Sequence, residues 1–147
     1  MGHFKDLLAE IEKIENKYGS SLRDPVSDEE IERMKDKNKT ILPIQYISFL
    51  KTVNGLDFNG LVIYGIDKAF LDKEIEEEIH GFIETNELWH ENEWQRKYVF
   101  FGDSDVAWYC YDLDEKLYVE LDKPSGTFIE SFEDFGTMIT DALEAVI

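Results

Sequence analysis

Apolar residues in FKDLLAEIEKIENKYG recur at helical spacing, with Phe4, Leu7, Leu8, Ile11, Ile14 and Tyr18 on one face and Gly19 closing the run. Ser27 then precedes DEEIERMKD with Glu30 three residues on, a capping box that opens a second, shorter helix. In ILPIQYISFLKTVNG, Pro43 occupies a first helical turn, where its missing amide hydrogen costs nothing. Ile44, Ile47, Phe49, Leu50 and Val53 follow as a mostly apolar, buried helix that Asn54-Gly55 ends. LDFNG reads as a turn-rich connection and LVIYG as a β-branched, aromatic strand. In EIEEEIHGFIETNELWHENEW, Ile75, Ile79, Phe82, Ile83 and Trp89 form one helical face, and Glu74, Glu76, Glu77 and Glu78 crowd the other near the positive end of the helix dipole. Gly81 lies inside that helix at a cost of about 1 kcal/mol relative to alanine, which marks a kink or break.

Beyond Trp94 the period shortens to two. KYVFFGDS, DVAWYCYDL, KLYVELD and GTFIES are four strand-like runs, and DVAWYCYDL, apolar on both faces, belongs inside the sheet. DLDEK and KPSG supply the hairpin turns. Ser131 stands as the cap of a last helix, FEDFGTMITDALEAV, with Phe132, Phe135, Met138, Ile139 and Leu143 at helical spacing. Helices, a strand, a helix, several strands and a closing helix predict an α+β fold: a single domain over residues 1–147, with an antiparallel or mixed sheet of about five strands covered by helices.

Composition narrows the function classes. The 147 residues include 33 acids and 15 Lys or Arg, a formal net charge of -18. The excess is uneven: residues 1–60 hold 11 acids and 9 bases (net -2), and residues 61–147 hold 22 acids and 6 bases (net -16). Solubility needs a net magnitude of only about 2–8 in a small domain. Phosphate backbones and anionic membranes would be repelled and a basic protein partner attracted; general acidity of a soluble protein is the alternative reading. One cysteine, Cys110, excludes an internal disulfide framework, and the amphipathic N-terminus lacks the apolar stretch of a secretory signal, so a cytoplasmic location is expected.

No motif assembles a catalytic set. GDS at Gly102–Ser104 offers a serine, but His3, His80 and His90 all precede it, and GDSD reads as a turn between strands. Glu87, His90 and Glu91 share a helical face without the HExxH pattern. Cys110 reads as a small buried hydrophobe, and no glycine-rich phosphate loop occurs. No catalytic, cofactor or metal residue is therefore assigned. Trp108 belongs to the core, whereas Trp89 and Trp94, among carboxylates in LWHENEW, suit an apolar binding anchor. Glu74, Glu76, Glu77 and Glu78 in one region, and Asp103, Asp105, Asp112 and Asp114 in the other, are the expected partner-binding carboxylates.

LPIQYISFLKTVNG followed by LVIYGID resembles the signature of the SUKH superfamily, in particular its Smi/Knr-type branch. The matching positions are Leu42, Pro43, Tyr46, Phe49, Leu50, Asn54, Gly55, Tyr64 and Gly65. FFGDSDVAWYCYDL and SFEDFGTMITDAL are similar to the family's later strand pair and closing helix. The resemblance implies a SUKH-like α+β fold. In bacteria it implies an immunity protein that binds and neutralises a cognate polymorphic or contact-dependent toxin domain; the chain's own acidity favours a basic toxin, as a nuclease is. The alternative is a non-enzymatic regulatory scaffold in cell-wall or stress physiology, as in fungal relatives.

Overall fold

The computed structural model describes residues 2–17, 22–37, 42–75 and 79–147. Among the described residues, five α-helices, α1 (Gly2–Lys17), α2 (Asp28–Lys37), α3 (Ile44–Leu50), α4 (Phe82–Trp89) and α5 (Phe135–Glu144), accompany six strands. These are β1 (Leu56–Phe58), β2 (Leu61–Ile63), β3 (Tyr98–Asp103), β4 (Ala107–Asp112), β5 (Leu117–Asp122) and β6 (Phe128–Phe132). They form one antiparallel sheet in chain order, β1 to β6, an α+β fold as the order of elements predicts.

The sixth strand is β1, which comes from the stretch expected to be a connection. Asn59 and Gly60 both take positive φ (49° and 86°), so Asn-Gly makes a tight hairpin turn and frees Leu56–Phe58 to pair with Leu61–Ile63. Two helix starts also differ. The capping box at Ser27 and Glu30 forms as expected, each backbone amide donating to the other's side chain at 2.9 and 3.2 Å. The helix expected from Glu74 begins only at Phe82, because Gly81 pairs in parallel with Gly65 and stands as the residue before the helix. Tyr18, Gly19 and Glu76–Glu78 lie outside the described residues. The last helix starts later too: Ser131 remains in β6, and Asp134 caps α5 by accepting the Thr137 amide at 2.7 Å.

The core lies between the sheet and α1, α3 and α5. Tyr46, Phe101 and Phe135 form an edge-to-face cluster with centroids 5.0–5.4 Å apart, and Phe49 and Met138 are buried beside them. Ile44, expected on the buried face of α3, is 85% exposed; the inward face is carried by Tyr46, Phe49 and Leu50. The opposite face of the sheet is covered by Trp89 at the end of α4 and by Trp94 in a 3-10 turn (Glu93–Lys97). Both pack edge-on against Trp108 of β4, at 5.5 and 5.7 Å.

Asn54, Gly55, Tyr64 and Gly65 make a backbone clasp. Buried Asn54 accepts the Ile66 amide on Oδ1 at 2.8 Å, and the Tyr46 hydroxyl donates to the Tyr64 carbonyl at 2.7 Å. Gly55 has φ +72°, and a Cβ there would stand 2.8 Å from the Ile63 carbonyl oxygen and the Gly65 nitrogen. A Cβ on Gly65 would lie 2.5 Å from Asn54 Oδ1. The helix end and the strand end approach too closely for any other residue pair.

Candidate partner-binding surface

Glu76, Glu77 and Glu78 lie outside the described residues, and the described carboxylates expected to meet a partner do not form one patch. Asp103 and Asp105 lie at one end of β4 and Asp112 and Asp114 at the other, on the order of 20 Å apart along the strand. Asp103 is engaged internally: it accepts from the Tyr64 hydroxyl on Oδ2 and from Lys123 Nζ on Oδ1 at 3.2 Å. Trp89 Nε1 donates to the same Tyr64 hydroxyl at 2.9 Å, and the Lys123 ammonium sits 5.4 Å from the Trp89 ring centroid and 5.7 Å from that of Trp108. Burial, the Asp103 charge and the Asp103 hydrogen bond together push the Tyr64 phenol far above its ordinary range. This is a structural network rather than an open anchor, and Trp89 is only partly exposed within it.

Asp112 is buried and organises the β4–β5 turn, accepting the amides of Asp114 and Glu115 on Oδ1 at 2.9 and 3.1 Å. Asp105 and Asp114 are exposed in their turns, and Glu74 is exposed in a non-helical stretch. Trp94 is 44% exposed, but its ring also closes over Gly126, where a Cβ would meet Trp94 at 2.6 Å. The two tryptophans are therefore mainly a lid on the sheet, because apolar rings gain more by covering Trp108 than by facing water.

A different set of acids does converge. Directly paired residues of neighbouring strands share a face, so the register puts Tyr109, Glu120 and Glu130 in one row across β4, β5 and β6, on the side of α5. Asp141 of α5 completes the group: one carboxylate oxygen from each of Glu120, Glu130 and Asp141 lies within 4.8 Å of the others. Burial, then the charges of Asp141 and Glu130, raise the Glu120 carboxyl above its ordinary value. Glu130 and Asp141 also border a groove of about 620 Å³ between β6 and α5, lined too by Glu133, Asp134 and Glu144 and, among the described residues, by no Lys or Arg. Like charges directly opposed across a strand pair cost about 0.2–1 kcal/mol. The fold bears that cost at the sheet's edge.

The clasp of Asn54–Gly55 on Tyr64–Gly65 gives a physical reason for the short motif that carries the sequence resemblance, and the SMI1 / KNR4 family (SUKH-1) matches residues 25–142. The chain belongs to the SMI1 / KNR4 family. No curated protein matches it. The region matched to the SMI1 / KNR4 family spans both the clasp and the clustered acids Glu120, Glu130 and Asp141; it ends at Ala142, before Glu144.

Sequence reasoning missed the groove because its acids are far apart in the chain and each looks ordinary alone. Glu120 and Glu130 sit in strands whose apolar residues dominate the pattern, and Asp141 lies on the polar side of α5. The available signal was the alternation in KLYVELD and TFIESF, which puts Glu120 and Glu130 on alternate faces from Val119 and Ser131. Only the β5–β6 register, in a SMI1 / KNR4 fold that lays α5 along the same edge, makes the three neighbours.

Proposed function

We propose that this protein is a non-enzymatic immunity protein that neutralises a cognate toxin domain by binding it, and that the partner is basic. The observation that carries the reading is the acid cluster at the β6–α5 edge: one carboxylate oxygen from each of Glu120, Glu130 and Asp141 lies within 4.8 Å of the others, and Glu130 and Asp141 line a groove that holds no Lys or Arg among the described residues. Toxins of nuclease type expose basic surfaces to hold phosphates, so an acidic inhibitor can occupy the surface that their substrate needs. Opposite fields also speed encounter, to about 10⁸–10⁹ M⁻¹s⁻¹ at low salt. A cytoplasmic location fits this role. No helix among the described residues is long and apolar enough to cross a membrane.

The groove replaces Asp103 and Asp112 as the centre of the interface, because those two carboxylates already serve the fold. Asp105, Asp114 and Glu74 remain exposed charges that add to the long-range field. The test is co-expression with the C-terminal domain of any large secreted protein encoded beside the gene. Restored growth and a salt-sensitive complex support the reading. No rescue and no complex reject it for that toxin, and recovery of an endogenous cell-wall or stress protein instead would favour the regulatory scaffold.

A further inference from the structure

Strand β6 ends the sheet, and among the described residues the backbone hydrogen bonds of Phe128–Phe132 all go to β5. In an antiparallel ladder every second residue of such a strand directs its N–H and C=O outward, a template for one more strand. The two sides of this edge differ chemically. On the side of α5 stands the Glu120, Glu130 and Asp141 cluster. On the other, a bulge sets both Phe128 and Ile129 against Leu121, in line with Trp108, and they remain 59% and 48% exposed. The helix face is acidic, and the tryptophan face is apolar at its margin.

We propose that β6 is the docking edge for one extended segment of the basic partner, which adds as a seventh strand with lysine or arginine side chains over Glu120, Glu130 and Asp141 and apolar side chains against Phe128 and Ile129. The proposal rests on the immunity reading for the identity of the partner, but the edge itself follows from register and exposure. Successive side chains of a strand point to opposite faces, so a segment alternating basic and apolar residues satisfies both sides at once. A second copy of this chain is a poorer occupant. Its own β6 would bring a second Glu130 against the first, on a molecule of net charge -18. Charge thus selects a foreign, basic strand over self-pairing.

A short peptide of alternating lysine and valine is the probe, compared with a peptide of the same composition in two blocks and with an alternating peptide N-methylated along one edge. Each is titrated into the full chain at low salt, with amide hydrogen exchange as the structural readout. The proposal expects the alternating peptide to bind about tenfold tighter than the block peptide, to slow exchange in β6, and to lose both effects on N-methylation. Glu130→Gln and Ile129→Lys should each weaken it while leaving the unfolding midpoint near that of the parent. Equal affinity for the two orders, or binding without protection of β6, means simple charge attraction and overturns the proposal. Dimerisation of the chain alone that Ile129→Lys abolishes assigns the edge to a second copy and also overturns it. With the toxin itself, a tight complex that leaves β6 exchange unchanged rejects the docking edge and leaves the immunity reading standing. Protection of β6 by the alternating peptide, together with a toxin that is not neutralised, keeps the edge and rejects that reading.

Discussion

Asp67 caps a helix that starts well after it in the chain: its two carboxylate oxygens accept the amides of Ile83 and Glu84, both at 2.9 Å. The residue before α4, Gly81, has no side chain to do this, and a Cβ there would collide with the Asp67 carboxyl at 2.6 Å. The glycine and the aspartate are therefore two parts of one cap, the one small so that the other can enter. Replacing Asp67 with alanine leaves both amides without their acceptor, and an expected loss of about 1–2 kcal/mol follows. Urea unfolding of Asp67→Ala checks it, with Asp67→Asn intermediate because a carboxamide offers one acceptor oxygen instead of two.

The clasp makes a second demand on stability. Asn54→Ala removes the acceptor for the buried Ile66 amide, with an expected cost of about 1–3 kcal/mol. Gly65→Ala forces a methyl group against Asn54 Oδ1 and the Asn54 carbonyl, 2.5 and 2.9 Å from the added carbon, at about 1–3 kcal/mol of overpacking. Because both changes strike the same contact, the double variant should lose less than the sum of the two; a double-mutant cycle measures the shortfall. Strict additivity would mean that the two residues act independently.

Protonation of the groove has a defined sign. Burial and the charges of Asp141 and Glu130 raise the folded Glu120 carboxyl above its ordinary value of 4.5. A carboxyl raised on folding adds stability below its unfolded value, and that contribution is lost as pH rises through the folded value. At neutral pH the ionised group is therefore a net cost. Glu120→Gln should raise the unfolding free energy there by under about 1 kcal/mol, since solvent reaches the group and screens it. The advantage should shrink as the solution is acidified through the carboxylate range. Thermal unfolding of the two proteins across that range decides the sign.

Two sets of carboxylates should separate under salt. Exchanging Glu130 and Asp141 for their amides is expected to slow association with a basic partner and flatten its ionic-strength dependence, with little change in stability. Asp112→Asn should do the reverse, losing about 1–2 kcal/mol because a buried carboxylate holding two turn amides is weakened, while the salt dependence of binding stays as in the parent. Stopped-flow association rates at several salt concentrations, beside urea midpoints, distinguish the two behaviours.

What the sequence by itself determined is whatever depends on neighbours along the chain. The capping box of Ser27 and Glu30, the amphipathic run of α1 and the strand character of β2–β6 all follow from residues within a turn or a strand length of each other, whereas α3 stops at Leu50, short of the Asn54-Gly55 pair expected to end it. The α+β class follows from their order. Local rules failed where the deciding partner is distant. Gly81 reads as a helix interior until Asp67 supplies the cap from another segment, and Ser131 reads as a cap until β6 pairs with β5. Asp103 and Asp112 read as free charge in polar turns, yet Tyr64 and Lys123 hold the first, and the second folds back on its own turn amides. The acidic groove is wholly tertiary. A one-residue change in the β5–β6 register would send Glu130 to the opposite face, so its meeting with Glu120 and Asp141 is decided by strand pairing and by the docking of α5, which no local pattern encodes.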